Sequence, residues 1–200
     1  MSSSFLSSPP FDPAATPALL ATSLVPITEA RHGVLIDMVY ASAANFTGKK
    51  IYNQPLCFLH PEAEAALRRA IAGAARMEGL RLKIFDAFRP QSAQEALWAV
   101  APIPGFVADP ARGSNHTRAV AVDLTLVDKN GAELDMGTTM DTFDSASHHF
   151  NPVHSANIQI NRMRLLTVML EAGFEHHAEE WWHYQLPDAR QRFALVQGEF

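Results

Sequence analysis

The spacing of apolar positions along the chain predicts three helices. Residues 61–77 begin with a proline and acidic residues, and apolar side chains then recur every three to four positions, as in an amphipathic helix. A second helix is predicted just after Ser92, because Ser92 and Glu95 have the spacing of a capping box. Residues 159–171 show the helical period and are followed by Gly173, a common residue at helix ends.

Alternating apolar and polar or small residues predict strands between these helices. Residues 80–85 and 119–127 have the two-residue period of a strand. A turn sequence at 128–131 precedes a further extended segment at 132–134, so we expect a hairpin there. A last short strand is expected at 179–185. Because helices and strands mix without regular βαβ repetition, the predicted fold is α+β, with a largely antiparallel sheet flanked by helices.

The N-terminal segment differs in composition from the rest of the chain. It is rich in serine, proline and alanine, and no lysine or arginine precedes Arg31, which is the wrong pattern for the positively charged start of a secretory signal. We therefore predict a flexible leader over residues 1–25 and a single folded domain over residues 26–200, a length that suits one core.

Composition narrows the classes of function. The formal net charge is -5 and the 16 basic residues are spread thinly, so we expect no nucleic-acid partner. Because no apolar run reaches the roughly 18 residues of a membrane span, no membrane association is expected. The single cysteine, Cys57, cannot form an intramolecular disulfide, which favours a reducing, cytoplasmic location. The sequence leaves open whether the chain forms a homo-oligomer.

Two histidines and an aspartate are candidate metal ligands. His116 precedes the 119–127 strand, Asp123 lies on the small-residue face of that strand, and His183 lies on the last predicted strand. Catalytic zinc accepts two imidazoles and one carboxylate and keeps a fourth position for water, which then ionises near neutral pH. The alternative for Asp123 is a carboxylate that caps a turn, but more strand follows it and a carboxylate there needs a partner.

Glu180 is the candidate general base. It stands three residues before His183 and could take a proton from the same water and pass it to the leaving amine. On a regular strand this spacing would send the two side chains to opposite faces, so a bulge or sharp bend is predicted. The alternative is a surface edge with two packed tryptophans. The sequence contains neither H-E-x-x-H nor H-x-x-E-H, which excludes the helix-borne zinc proteases.

Arg89 is a candidate for binding negative charge in the reaction. Pro90 biases it away from helical dihedrals, so it is expected at the end of the 80–85 strand. Its guanidinium could bind a carbonyl oxygen that becomes an oxyanion. The alternative role is an ion pair with Asp86, and the two roles are compatible.

Together these motifs resemble the D-Ala-D-Ala dipeptidases of the vancomycin-resistance type, within the wider family of zinc D,D-peptidases. The similarity covers most of residues 33–186, in order and at the family's spacing. Its blocks are Y-A-S-A-A-N-F-T-G-K from Tyr40, I-Y from Ile51, C-F-L-H from Cys57, D-A-F-R-P from Asp86, G-S-N-H-T-R from Gly113, D-L-T-L from Asp123, M-G from Met136 with Asp141, S-H from Ser147, and E-W-W-H from Glu180.

The resemblance implies a specific chemistry for these residues. It implies one zinc ion per chain, held by His116, Asp123 and His183, and hydrolysis of D-alanyl-D-alanine to two D-alanines by a metal-bound water that Glu180 activates. Arg89 would steady the tetrahedral intermediate. The activity would belong to cell-wall metabolism, and the residues do not distinguish glycopeptide resistance from recycling of D-alanine.

The resemblance also implies a small substrate pocket. Tyr40, Ser114 and Asp141 would line it, with Asp141 placed for the free ammonium group of the dipeptide. The sequence departs from the family pattern S-x-H-x-x-G-x-A-x-D, because Ala119 stands where the family has glycine and Val120 replaces a smaller or polar residue. The added methyl group could shift the backbone beside the metal loop, with more effect on catalytic rate than on metal binding.

Two other functions fit the same residues. A zinc D,D-carboxypeptidase acting on longer cell-wall peptides would need an open groove, whereas a closed pocket with Asp141 at the amino end would exclude such chains. A non-catalytic zinc-binding relative would keep the ligands and lose the base, and Glu180 is present.

Overall fold

The computed structural model describes residues 24–103 and 106–200. The predicted leader over residues 1–25 lies almost wholly outside the described residues, so the boundary between leader and domain stays a prediction. In chain order the elements are β1 (Val25–Pro26), α1 (Glu29–His32), β2 (Leu35–Ile36), β3 (Phe58–Leu59), α2 (Pro61–Arg76), β4 (Arg81–Asp86), α3 (Gln91–Val100), β5 (Ala121–Val127), α4 (Ala156–Glu171), β6 (Glu175–His177), β7 (Glu180–Gln185) and α5 (Ala189–Arg192), with 3-10 turns at Val39–Ala41 and Ser145–Ser147.

A five-stranded sheet forms the centre of the molecule. Its strand order is β2-β4-β5-β7-β6, with β2 parallel to β4 and every other neighbouring pair antiparallel. The short strands β1 and β3 form a separate antiparallel pair. Helices α2 and α4 pack against each other and against the sheet. The prediction of an α+β fold with a largely antiparallel sheet and flanking helices is confirmed.

The central strand β5 is more deeply enclosed than its alternating pattern indicates. All seven of its residues are buried, so both of its faces are covered. The small-residue face that carries Asp123 is therefore also an interior surface. A carboxylate in such a place needs partners, because burying an unpaired charge is costly.

Two helix starts differ from the predictions. The prediction of a capping box at Ser92 and Glu95 is wrong. Helix α3 begins at Gln91, and Pro90 before it makes no side-chain capping bond. The Ser92 hydroxyl instead donates a hydrogen bond to the Glu199 carboxylate. The proline already has the dihedral angle that starts a helix, so the first turn forms before the serine. Helix α4 also begins earlier than predicted, at Ala156.

The predicted hairpin after β5 is only partly present. The turn forms, because the Asp128 carboxylate accepts hydrogen bonds from the backbone N–H groups of Asn130 and Ala132. Beyond the turn, residues 132–134 contact β5 through an isolated bridge between Val127 and Glu133 and do not form a regular strand.

Within the part of the chain that the structure describes, no helix is long and apolar enough to cross a membrane.

Candidate active site

Three site residues lie in one row across the sheet. Asp86 on β4 is the cross-strand neighbour of Asp123 on β5, and Asp123 is the cross-strand neighbour of His183 on β7. Directly opposed residues of antiparallel strands have their side chains on the same face and close together. Strand pairing therefore brings together groups that are up to 97 residues apart in the chain.

His116 completes this group from the loop before β5. Its Nε2 atom lies 3.1 Å from Nδ1 of His183 and 3.3 Å from Oδ2 of Asp123, and Nδ1 of His183 lies 3.0 Å from Oδ1 of Asp123. His116 Nδ1 donates a hydrogen bond of 2.7 Å to the carbonyl oxygen of Ala87, which leaves the Nε2 lone pair facing the other two residues. These three side chains form a group that could hold a metal ion.

The histidines set the charge state of Asp123. Burial by itself would raise the pKa of its carboxyl, but His116 and His183 outweigh burial and hold the pKa well below its usual range. Asp123 is therefore a carboxylate at neutral pH, which is the form that a metal ligand requires.

Glu180 reaches this group because the pairing of β6 with β7 is irregular. His176 pairs with Tyr184 and the next residue, His177, pairs with Glu180, so extra residues of β7 bulge out between the two pairs. Glu180 Oε2 consequently lies 3.8 Å from His183 Nδ1. The predicted bulge is confirmed.

The Glu180 carboxyl lies among other acids. Burial raises its pKa well above the usual value, and the nearby carboxylates of Asp123 and Asp141 raise it further. A cation placed among these three carboxyl groups would offset their mutual repulsion.

Arg89 is held rigidly at the end of β4. Its Nε and Nη2 atoms donate to Oδ2 of Asp86 at 2.9 and 2.7 Å, and its Nη1 atom donates to Oε1 of Gln94 at 2.9 Å. The predicted ion pair between Arg89 and Asp86 is therefore present. Tyr52 donates a further hydrogen bond of 2.7 Å to Oδ1 of Asp86. Three of the five N–H groups of Arg89 make these bonds, and its Nη2 atom also lies 3.8 Å from Oδ2 of Asp123.

The site prediction missed the roles of Tyr52 and Gln94. Gln94 is completely buried, and its Nε2 atom donates a 2.7 Å hydrogen bond to the carbonyl oxygen of Ala108. A glutamine on the inward face of a helix is the one sequence signal that could have indicated this role, since a buried amide needs hydrogen-bond partners.

Tyr40 and Asp141 form a second pair at the same cavity. The Tyr40 hydroxyl donates to the two carboxylate oxygens of Asp141, at distances of 3.1 and 2.9 Å. Asp141 has a left-handed backbone with a φ of 60°. Burial and the charge of Asp123 raise the pKa of Asp141 to about 7.

The loop that carries Asp141 is fastened by a buried arginine that the sequence did not single out. Arg162 on α4 donates hydrogen bonds to the carbonyl oxygens of Met136, Ala146 and His148, at 2.7, 2.8 and 2.7 Å. These carbonyls lie before and after Asp141 in the chain. One guanidinium thus joins the two ends of the loop.

Every predicted site residue lines one cavity of about 470 Å³. Ser114 is among them, and its hydroxyl also accepts a 3.1 Å hydrogen bond from the backbone N–H of His116. The predicted residues at the cavity are Tyr40, Arg89, Ser114, His116, Asp123, Asp141, Glu180 and His183. Its volume is that of a small-molecule site.

Comparison with known proteins places this chain in a family. A family model described as D-ala-D-ala dipeptidase matches residues 20–198. A D-alanyl-D-alanine dipeptidase of Escherichia coli (strain K12) is 44% identical over 179 residues, which cover 90% of this chain and 92% of the relative. Relatives of the same name from Enterococcus faecium and Enterococcus faecalis are 33% and 34% identical, each over 81% of this chain and 90% of the relative. With the match spanning nearly the whole chain, the resemblance drawn from the motifs is confirmed, and the protein belongs to the D-Ala-D-Ala dipeptidase family.

Proposed function

We propose that this protein hydrolyses D-alanyl-D-alanine to two D-alanines, with one zinc ion held by His116, Asp123 and His183. The observation that carries the proposal is the convergence of these three ligands with Glu180 and Arg89 on one cavity. The names of the relatives support the choice of substrate.

The three side chains fit zinc in chemistry and lie close enough together to share one ion. Ligands about 2.0 to 2.1 Å from a tetrahedral zinc ion lie about 3.3 Å from one another. The nearest approaches between the side chains here are 3.1 Å between the two imidazoles, 3.0 Å from His183 to Oδ1 of Asp123 and 3.3 Å from His116 to Oδ2 of Asp123. One ligand atom from each residue can be chosen so that all three lie within 4.8 Å of one another. Two imidazoles and one carboxylate are a common set for catalytic zinc. When bound, the ion would lower the pKa of a water molecule and polarise the carbonyl of the scissile bond.

Glu180 transfers the proton in the proposed reaction. It takes a proton from the attacking water and gives it to the nitrogen of the leaving D-alanine, so that the peptide bond breaks as the amine forms. The buried position of Glu180 and its acidic neighbours favour this role, because both raise its affinity for a proton.

Arg89 stabilises the oxygen that becomes negatively charged. Its three bonds to Asp86 and Gln94 fix the plane of the guanidinium before substrate arrives, so little reorganisation is needed during the reaction. The two N–H groups that make none of these three bonds can bind the oxyanion.

Asp141 and Tyr40 recognise the amino end of the dipeptide. A carboxylate beside the cavity pairs with a free ammonium group, and the Tyr40 hydroxyl keeps that carboxylate in place. Blocking the ammonium group removes this charge-assisted contact. The dipeptide is therefore favoured over the longer peptides that a D,D-carboxypeptidase would cleave.

The first experiment compares substrates and one variant. The purified zinc-loaded protein should cleave D-Ala-D-Ala and leave L-Ala-L-Ala and N-acetyl-D-Ala-D-Ala intact. Glu180→Gln should lower kcat by about 10² to 10⁴-fold, the usual contribution of a general acid–base group. Zinc content, measured by atomic absorption, should stay at one ion per chain in this variant.

Three other results would contradict parts of the proposal. Cleavage of the acetylated peptide would indicate a carboxypeptidase. Zinc binding without any cleavage would indicate a non-catalytic relative. Full activity of Glu180→Gln would remove Glu180 from the mechanism.

We also propose a cytoplasmic location and a role in metabolism of cell-wall D-alanine. Cys57 is a buried free thiol, which suits a reducing compartment. Fractionation of cells that produce the tagged protein tests the location.

A further inference from the structure

His183 is oriented by a contact on the side of its ring away from the metal ligands. Its Nδ1 atom faces Asp123 and His116, at 3.0 and 3.1 Å. Its Nε2 atom lies 3.2 Å from Oε1 of Gln185. For Nδ1 to offer a lone pair to a metal, the ring proton must be on Nε2, and Gln185 Oε1 is an acceptor for that proton.

A second amide donates to the same oxygen atom of Gln185 that faces the ring. Asn115 Nδ2 donates a 2.6 Å hydrogen bond to the same Oε1 atom. The opposite orientation of the Gln185 amide would place an N–H group against His183 Nε2 and force the ring proton onto Nδ1. The pair formed by Asn115 and Gln185 therefore favours the tautomer that can bind metal.

The strand geometry accounts for the position of Gln185. It lies two residues after His183 on β7, so the two side chains are on the same face of the strand. Its backbone pairs with Ala121 of β5, two positions along the strands from the pair of Asp123 and His183. Gln185 is thus attached to the same two strands as the ligands.

The two histidine ligands are held in different ways. His116 uses a backbone acceptor, the carbonyl oxygen of Ala87, which no substitution of a side chain removes. His183 depends on the side chain of Gln185. Substitution can therefore test the orientation of His183 separately from that of His116.

We propose that Gln185 is a positioning residue, which Asn115 orients and which holds His183 in the tautomer and ring orientation that bind metal. This inference rests on the zinc site of the proposed function. Partners of this kind are typically worth 10- to 100-fold in metal affinity, because they restrict the ligand ring and increase its basicity.

The test measures the zinc dissociation constant by competition with a chromophoric chelator. Gln185→Leu keeps the size of the side chain and removes the acceptor, so its dissociation constant should rise about 10- to 100-fold. Gln185→Glu keeps an acceptor and should stay within about threefold of the wild type. The control is Gln191→Leu, at an exposed position of α5, which should leave zinc affinity unchanged.

Asn115 supplies a second, independent arm of the test. Asn115→Ala should weaken zinc binding by itself but add little when combined with Gln185→Leu, because it acts through Gln185. The visible absorption spectrum of the cobalt-substituted protein should change in Gln185→Leu and not in Gln185→Glu.

Two outcomes would overturn the inference. One is wild-type zinc affinity in Gln185→Leu. The other is an equal loss in the Leu and Glu variants, which would indicate packing instead of a hydrogen bond. The thermal unfolding midpoints of the metal-free variants identify any general damage to the fold. If the wild type binds zinc and cleaves no dipeptide, the proposed function fails while this inference stands.

Discussion

Asp141 shows how a single residue acquires its properties from its neighbours. Its two carboxylate oxygens share the hydroxyl proton of Tyr40, and its pKa rises to about 7 through burial and the charge of Asp123. A carboxyl group with this pKa gains most from a cationic partner, since a positive charge favours its ionised form. The ammonium group of a dipeptide is such a partner.

Asp141→Asn removes the charge and keeps the shape of the side chain. A hydrogen bond to a charged group is worth about 1.5 to 3 kcal/mol, so KM for D-Ala-D-Ala should rise about 10- to 100-fold. The kcat should change much less, because Asp141 does not contact the reacting atoms. Steady-state kinetics of the variant and the wild type measure both values. An unchanged KM would exclude Asp141 from substrate recognition.

Ala119 occupies a position whose backbone favours glycine. Its φ is 57° and it is completely buried. A left-handed backbone costs a residue with a Cβ about 1 to 2 kcal/mol. This cost is offset in part by the buried methyl group, worth about 0.8 kcal/mol, and by the smaller entropy of the unfolded chain.

Ala119→Gly should therefore change the free energy of unfolding by less than about 1 kcal/mol, because relief of strain cancels the loss of the methyl group. The matched control is Ala121→Gly, at a buried alanine of β5 that has no positive φ. This variant should lower the free energy of unfolding more than Ala119→Gly does. Ala119→Val should cost roughly 2 kcal/mol or more through crowding and backbone strain. Urea denaturation measures all three. Equal costs for the two glycine variants would show that Ala119 is unstrained.

At the scale of elements, the segment after Ser145–Ser147 packs against the edge of the sheet through His149. The ring of His149 lies 5.1 Å from that of His176 on β6 and 5.8 Å from that of Tyr184 on β7. Burial, with smaller contributions from the charges of His176 and Arg162, lowers the pKa of His149 to about 3. The folded protein therefore holds this ring neutral.

The attachment of this segment should weaken in acid. An unfolded histidine binds a proton below about pH 6.5, whereas the folded His149 does not. The contribution of His149 to the free energy of unfolding is therefore complete above that pH and is lost as the pH falls towards 3. Between pH 7.5 and 5.5 the loss from this group is about 1.4 kcal/mol. Urea denaturation of the wild type and His149→Gln at both pH values should show a smaller decrease in the variant. Identical decreases would contradict the assignment.

At the scale of the whole molecule, the cavity brings several acidic side chains together inside the fold. Asp123, Asp141 and Glu180 all line it, and Arg89 is already paired with Asp86. A bound divalent cation should therefore stabilise the entire domain, because it binds the folded chain and not the unfolded one.

Removal of zinc should lower the unfolding temperature. Free zinc at 100 times its dissociation constant adds about 2.7 kcal/mol, which corresponds to roughly 5 to 11 °C for a domain of this size. Scanning calorimetry with zinc and with a chelator measures the difference. His183→Ala should show a much smaller zinc-dependent shift. Equal shifts in this variant and the wild type would mean that zinc stabilises the protein at another site.

The sequence by itself determined the elements and the chemistry of the individual groups. Periodicity predicted α2, α4 and β5, because helices and strands repeat their buried face with fixed local periods. It also predicted the bulge of β7, since Glu180 and His183 cannot share a face of a regular strand. Motif spacing identified the family and drew attention to the residues that line the cavity.

Only the tertiary structure decided which groups hold these residues in place. Tyr52 bonds Asp86 across 34 positions and Asn115 bonds Gln185 across 70. Arg162 reaches back across 26 positions to the carbonyl oxygen of Met136. Such pairs leave no local period in the sequence, because they form only when strand pairing and helix packing bring distant segments together. The physical limit is that local patterns encode the direction of a side chain, whereas its partner depends on the whole fold.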